Sequence, residues 1–329
     1  MTHIFDLVSH PAKAHIIAVD GDFEALTTKL TTHAVSDEGL RIVHEKTVDG
    51  LLRNVYPTPE GLVAATMPVR KWGEPIFIET WSWNFESHTK REIRRPKLGL
   101  MNFALDQTRG VMLVDRDFPE SGTGASLICD AESLEVRGRV PLDSNLISPV
   151  FEPGGDRLAL IHTDQGGAEV KLFHVGANET VLLRELGKEQ VTLDDQEGSL
   201  CFLPGDELLV HTLTTWSAAG ELAAYSAATG QQRFSTKLEN KAAFEALSNR
   251  DERFQDEDGG MLISNTRLCF AVVDGAAYVG GVGGVFRVAL SDGAAEHIDV
   301  AGVEGVVTRV VACGGRLVVI DHDGALGCI

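Results

Sequence analysis

One short unit recurs along this chain and limits what it can fold into: an apolar run, a tight turn built from Gly, Asp or Pro, and a second apolar run. It is clearest in "FEPGGDRLALI" at 151–161. Variants stand at 56–66 ("YPTPEGLVAAT"), 202–210 ("FLPGDELLV") and 311–320 ("VACGGRLVVI"). Apolar runs of this length bounded by such turns read as strand hairpins. Placing the turns at Gly21, Gly61, Gly110, Gly155, Gly205, Gly275 and Gly315 gives spacings of 40, 49, 45, 50, 70 and 40 residues. After most of them a second hairpin follows, as in "SLICDAESLEVRGRV" (126–140), "EVKLFHVGANETVLLREL" (169–186) and "ELAAYSAATGQQRFSTKL" (221–238). Turn chemistry sits at their centres, at Glu132-Ser133, Ala177-Asn178 and Thr229-Gly230.

Four antiparallel strands every 40 to 50 residues is the period of a β-propeller blade. A lone four-stranded sheet leaves both faces wet, and stacking blades around an axis buries them. Seven turns predict seven blades, and helical periodicity is almost absent, which disfavours an α/β sheet. The expectation is therefore an all-β, seven-bladed β-propeller with four-stranded antiparallel blades, one domain over 1–329. An insert at 240–262, between blades five and six, accounts for the spacing of 70. The last unit, from Gly305, supplies three strands, while "THIFDLV" (2–8) has no hairpin partner on this reading. That predicts a ring closed by the N-terminal strand completing the last blade, which would cover a raw strand edge.

At this level the chain resembles the seven-bladed propellers of the WD-repeat-like and quinoprotein-like superfamily. "FEPGGDRLALI" and "FLPGDELLV" are similar to the strand–turn–strand of WD-like repeats, and "LAAYSAATGQQRF" (222–234) resembles a quinoprotein repeat. The blades lack Gly-His near their starts and Trp-Asp at the ends of their third strands, so the resemblance is architectural. It implies no cofactor.

The formal net charge is −19, from 48 acids against 29 bases. An acidic surface repels nucleic acid and anionic membrane and suits a basic protein surface as partner. No apolar run is long enough to span a bilayer, and the start lacks the pattern of a secretory signal. The five cysteines, Cys129, Cys201, Cys269, Cys313 and Cys328, are scattered and odd in number, which suits free thiols in a reducing, cytoplasmic setting.

Strand alternation sorts the loops. First-to-second and third-to-fourth turns share one face and are mostly minimal. The other face receives "PVRKWGEP" (68–75), "RDFPESGTG" (116–124), "TTWSAAG" (214–220), "GKEQVTLDDQEG" (187–198) and the insert. Loop length that does not help stacking points to binding. Candidate anchors there are Trp72, flanked by Arg70 and Lys71, with Phe118 and Trp216. Trp81 and Trp83 alternate on one strand and are expected between blades. Within the insert, "AAFEALSNRDERF" is expected to form a helical turn or two with Phe244 and Leu247 facing inward, ahead of the acidic Asp256, Glu257 and Asp258. The basic run at 88–98 is expected to be the charged outer strand of blade two.

No nucleophile elbow, zinc-protease motif or phosphate-binding loop is present. One polar row remains, at the ends of second strands: Asp115, Asp117, His162, Asp164, His211, Asp321, His322 and Asp323. Converging at the channel mouth, these would suit a divalent cation or proton transfer, although Asp and His at such positions commonly cap their own turns. The favoured function is a non-catalytic scaffold or adaptor that docks another protein on the loop-rich face. The alternative is a metal-dependent, lactonase-like propeller hydrolase using the Asp/His row.

Overall fold

The computed structural model of the chain describes residues 3–67, 76–93, 103–117, 125–141, 145–164, 167–176, 180–186, 196–214, 219–254 and 270–329. They form seven antiparallel sheets in chain order. Blade one is β1 (His3–Ser9), β2 (His15–Asp22), β3 (Thr27–Ser36) and β4 (Gly39–Asp49). Blade two is β5 (Leu51–Pro57), β6 (Gly61–Met67), β7 (Ile76–Ser82) and β8 (His88–Ile93). Blade three is β9 (Phe103–Asp106), β10 (Val111–Asp117), β11 (Ala125–Asp130) and β12 (Val136–Pro141). Blade four is β13 (Asn145–Phe151), β14 (Arg157–Asp164), β15 (Gly167–Val175) and β16 (Thr180–Leu186). Blade five is β17 (Gln196–Leu203), β18 (Glu207–Thr214), β19 (Ala219–Ser226) and β20 (Gln232–Leu238). Blade six is β21 (Phe270–Val273), β22 (Ala276–Gly281), β23 (Gly284–Ala289) and β24 (Ala295–Asp299). Blade seven has three strands, β25 (Val307–Cys313), β26 (Arg316–Asp321) and β27 (Leu326–Cys328). This is a seven-bladed β-propeller.

The recurring unit has a direct physical reason. A second strand is buried on both faces, so it reads as an unbroken apolar run. In β14, Leu158 and Leu160 join the core shared with blade three, while Ala159 and Ile161 join the core shared with blade five. In β18, Leu208 and Val210 face blade four and Leu209 faces blade six. Strand alternation turns one run into two interfaces. An apolar core fills each of the seven blade junctions, the one between blades seven and one included. Trp81 is buried in the core between blades one and two, with Trp83 packed against it, as the alternation predicts.

Arginines stitch neighbouring blades together. Arg91 of β8 donates to the carbonyls of Ala131 and Glu132 in the outer turn of blade three, and Arg184 of β16 donates to those of Ala228 and Thr229 in blade five. Arg109 donates to the Val175 carbonyl, and Arg157 joins Glu152 of its own blade to Asp206 of the next. Bonds to carbonyls already arrayed in a turn hold the rims without any Trp-Asp network. The basic outer strand of blade two is used in this way. Lys90 meets Glu79 at 2.9 Å, Arg91 clasps blade three, and 94–98 lie outside the described residues.

Ring closure differs from the expectation. The N-terminal strand does not complete the last blade. β1 pairs with β2 from His3↔Asp22 to Ser9↔Ile16 and is the innermost strand of blade one. The difference starts at Gly21, which lies inside β2 and not in a turn. The true first turn is His10–Ala14, which has no glycine. The His10 ring replaces one, its Nδ1 accepting from the amides of Ala12 at 3.0 Å and Lys13 at 3.2 Å. The His10 amide then donates to the His15 carbonyl at 2.8 Å. Closure is therefore a packing event. Leu7 and Ile16 meet Val318 and Ile320, and Arg309 donates to Asp6 at 2.7 Å.

Candidate functional site

The described part of the insert is an ordered platform on the loop-bearing face. α1 (Lys241–Arg250) starts where the Asn240 side chain accepts from the Ala243 amide at 3.2 Å, an N-cap. Leu247 is buried with Phe254 of the following 3-10 turn (Glu252–Phe254), against Val282 and Val306. Phe244 is half-buried beside them, its ring edge-on to Phe254 at 6.4 Å. The inward spacing of Phe244 and Leu247 is thus realised, over nearly three turns of helix. Arg250 closes the platform by bonding to the Glu304 side chain and to its carbonyl at 3.0 Å.

Where the platform meets blade seven, two members of the expected row, His322 and Asp323, gather with Asp251, which lies outside that row. Asp251 comes from the end of α1, and His322 and Asp323 come from the turn after β26, with their ligand atoms within 4.8 Å of one another. His322 is buried, and Phe254 lies edge-on to its ring at 4.9 Å. Beside them opens a cavity of about 590 Å3 lined by Arg250, Asp251, Glu252, Glu304, Asp321 and Asp323. Its lining holds five carboxylates against one guanidinium.

The protonation of His322 decides what this cluster can do. Its Nδ1 accepts from the Val306 amide at 3.0 Å, so Nδ1 carries no proton. The neutral ring then holds its proton on Nε2, which points between Asp323 Oδ2 at 3.4 Å and Asp251 Oδ2 at 3.8 Å. A metal-binding imidazole has the opposite arrangement, an N–H donated outward and a bare nitrogen on the ion. The donor set therefore does not fit a cation bound through His322. The His322 ring meets the insert through Phe254, edge-on at 4.9 Å.

Other members of the row cap turns or sit in the core. Asp321 Oδ1 accepts from the amides of Asp323 at 3.0 Å and Ala325 at 2.8 Å. His211 is buried where blades five and six meet, edge-on to Phe270 at 6.2 Å, and burial pushes its pKa down to about 4. Asp115, Asp117, His162 and Asp164 stand at the ends of β10 and β14, with side chains outside the described set. Arg70, Lys71, Trp72, Phe118, Trp216, Asp256, Glu257 and Asp258 also lie outside the described residues. Asp251 was visible in the sequence only as one acid among several. The pairing of Arg250 with Glu304 joins positions 54 residues apart, and no local pattern announces it.

On the ring axis, the inner strands enclose a cavity of about 250 Å3 lined by Leu7, Val8, Val55, Tyr56, Val150 and Val310, among others. Its walls are mostly apolar, and the Asp6–Arg309 pair lies at its edge. Cys129, Cys201, Cys313 and Cys328 are free thiols, and Cys269 lies outside the described residues. Among the described residues no helix is long and apolar enough to cross a membrane.

Solved structures of the same architecture are found at low sequence identity. The chain is a seven-bladed propeller. It is similar to Sqt1 of Saccharomyces cerevisiae at 9% identity and a TM-score of 0.63, over 100% of this chain and 98% of that one. The WD40 domain of Neurospora crassa Pan2 aligns at 9% identity and a TM-score of 0.61, over 98% and 87% of the two chains. The computationally designed Ika8 protein aligns at 11% identity and a TM-score of 0.58, over 100% and 96%. At such identities the likeness carries the fold. No protein-family model matches the sequence, and no curated protein does.

Proposed function

We propose that the chain is a non-catalytic scaffold that docks another protein on its loop-bearing face. One observation carries this reading. The insert between blades five and six adds nothing to blade stacking, yet it is capped at Asn240, packed through Leu247 and Phe254, and pinned through Arg250. A surface element held at so many points serves a purpose beyond the ring, and it presents an acidic cavity. The WD40 neighbours support the same reading by analogy of fold. The charge of the cavity and of the whole chain favours a partner with a basic surface. Trp72 and Trp216 are the proposed central anchors, with Arg70, Lys71, Phe118 and Phe244 beside them and Asp256, Glu257 and Asp258 at the rim.

The test is capture of partners from native lysate, followed by binding kinetics with the purified partner. Trp72→Ala and Trp216→Ala should each weaken binding by about 2 kcal/mol or more with little change in fold stability. Neutralising Asp256, Glu257 and Asp258 together should mainly slow association and flatten its salt dependence. A partner that binds all three variants like the parent removes the loop-bearing face as the interface.

A further inference from the structure

Strand bounds order the lining of the axial cavity by depth. Ser9 and Pro57 end β1 and β5 at the tight-turn rim, with Val311 close to the end of β25. Asp6 and Ser148 lie three residues before the ends of β1 and β13, and Ser199 and Arg309 lie four before the ends of β17 and β25. The cavity of about 250 Å3 therefore has a polar floor and an apolar neck, the neck walled by Val8, Val55, Val150, Val310 and Val311. Each of these residues is among those described. The wall is also unusual in its backbone. Pairing of β13 shifts between Ile147 and Val150, and Ser148 takes a φ of 49°, the left-handed region that side-chain-bearing residues seldom adopt. Among the described residues, it is the one non-glycine residue inside a strand to do so. Strain of this kind collects where a fold holds a ligand.

The floor spends some of its polar groups and keeps others. Ser148 Oγ donates to the Gly198 carbonyl. Asp6 Oδ1 accepts from the Leu7 amide and from Arg309 Nε, both at 2.7 Å. Arg309 has donors left over. Its Nη1 reaches only the Thr308 carbonyl, at 3.5 Å, and its Nη2 has no acceptor among the described residues. That nitrogen is not sealed inside the protein, and the open space that Arg309 lines is the cavity. The side chain is otherwise buried, at 5% exposure. Charge and size then select the occupant. Asp6 already balances Arg309, so an anion would enter an apolar site without a net cation to meet it, whereas a neutral oxygen needs only the spare N–H. An engineered apolar cavity of about 150 Å3 holds benzene, so this one has room for a ring with a short arm.

We propose that the axial cavity binds a small, neutral, mostly apolar molecule that carries one carbonyl oxygen, such as a ketone, ester or amide built on a single ring. The carbonyl accepts from Arg309 Nη2 at the floor, and the apolar body packs against the five valines of the neck. Asp6 holds the guanidinium through Nε, which fixes its plane and leaves the Nη edge to the ligand. A buried donor with no protein acceptor also confers selectivity, because an analogue without the oxygen leaves it unmet. The site is separate from the insert platform, and its test does not depend on the loop-bearing face.

The probe is acetophenone, titrated into the full chain while the valine methyl groups are followed by NMR. Saturable shifts are expected at Val8, Val55, Val150, Val310 and Val311, and not at blade-junction valines away from the axis such as Val19 and Val288. α-Methylstyrene, which keeps the outline and replaces the oxygen with CH2, should bind at least tenfold more weakly. Benzoate, similar in size but charged, should also bind more weakly than acetophenone. Asp6→Leu with Arg309→Met removes the donor and keeps the neck, so it should bind acetophenone and α-methylstyrene alike. Val311→Phe, which fills the neck, should bind neither. Four results overturn the proposal: no saturable shift at the five valines, α-methylstyrene binding as tightly as acetophenone, benzoate binding most tightly of the three, or Val311→Phe binding like the parent. The third would mean that Arg309 acts as an unbalanced cation. If the double variant fails to fold, the comparison of the three probes on the parent still decides.

Discussion

Arg309 of the last blade and Asp6 of the first form a buried ion pair across the junction where the ring closes, with Nε donating to Oδ1 at 2.7 Å. The Arg309 side chain is 5% exposed. Asp6 Oδ1 also accepts from the Leu7 amide at 2.7 Å. Removing one partner of such a pair strands a charge in a dry site, whereas replacing both with apolar residues often costs little. Asp6→Ala should therefore destabilise the fold by about 3–5 kcal/mol, and Asp6→Leu with Arg309→Met should recover most of that loss. Denaturant unfolding of the two variants checks this. A single variant as stable as the double would show that the pair does not hold the closure.

The same junction shows what was legible in the sequence. Blade number, strand order and the doubly buried second strands follow from local runs such as 157–161, because a blade is a local unit. Closure joins residues 303 positions apart, and a histidine-built turn at 10–14 hid its register. The insert helix was visible through the spacing of Phe244 and Leu247. Its tether was not, because nothing near Asp251 marks His322 as its neighbour.

Glu79 gives the fold a signature at low pH. Its side chain is 2% exposed, and burial by itself would raise its pKa. Thr66 Oγ1 donates to it at 2.6 Å, with Lys90 at 2.9 Å and His88 at 2.8 Å, and together they hold the carboxyl below its ordinary value of 4.5. A carboxylate whose pKa is depressed by folding adds stability that is present above the ordinary value and disappears as pH falls through the folded one. Glu79→Gln should thus be most destabilising at neutral pH, by about 1.5–3 kcal/mol, and its deficit should shrink as pH falls below the ordinary value of 4.5 and through the lowered folded one. Melting curves of parent and variant from pH 7 to pH 3 measure this. A deficit that stays constant with pH would refute the ionised role.

His211 acts in the next window up. Burial holds its pKa down at about 4, from an ordinary 6.5, so the unfolded chain takes up a proton there that the folded chain refuses. The sign is clear: stability is intact above pH 6.5 and declines as pH falls from 6.5 toward 4. His10, His15 and His33 are also depressed, mainly by burial, and share the window. His211→Gln should flatten the decline without abolishing it. A variant whose stability follows the parent's pH profile point for point would place His211 outside that response.

The tether between insert and ring can be cut at a residue that carries no functional group. A Cβ on Gly305 would lie 2.4 Å from His322 Cε1 and 2.5 Å from its Nδ1, so Gly305→Ala must push the imidazole out of its seat. The displaced ring leaves the Val306 amide buried without its acceptor and draws Nε2 away from Asp251. An unmet buried amide costs about 1–3 kcal/mol. The loss should be felt first in α1, which reaches blade seven through this cluster, through Phe254 and through Arg250. Amide exchange in Ala243–Asp251 should therefore quicken well before that of the blades. The parent's melting temperature should also stay level with millimolar calcium, magnesium, manganese or zinc, because the proton on His322 Nε2 occupies the place an ion would need. Two outcomes would unseat this account: helix protection unchanged in Gly305→Ala, or a melting temperature that climbs with a divalent cation and stops climbing in His322→Ala.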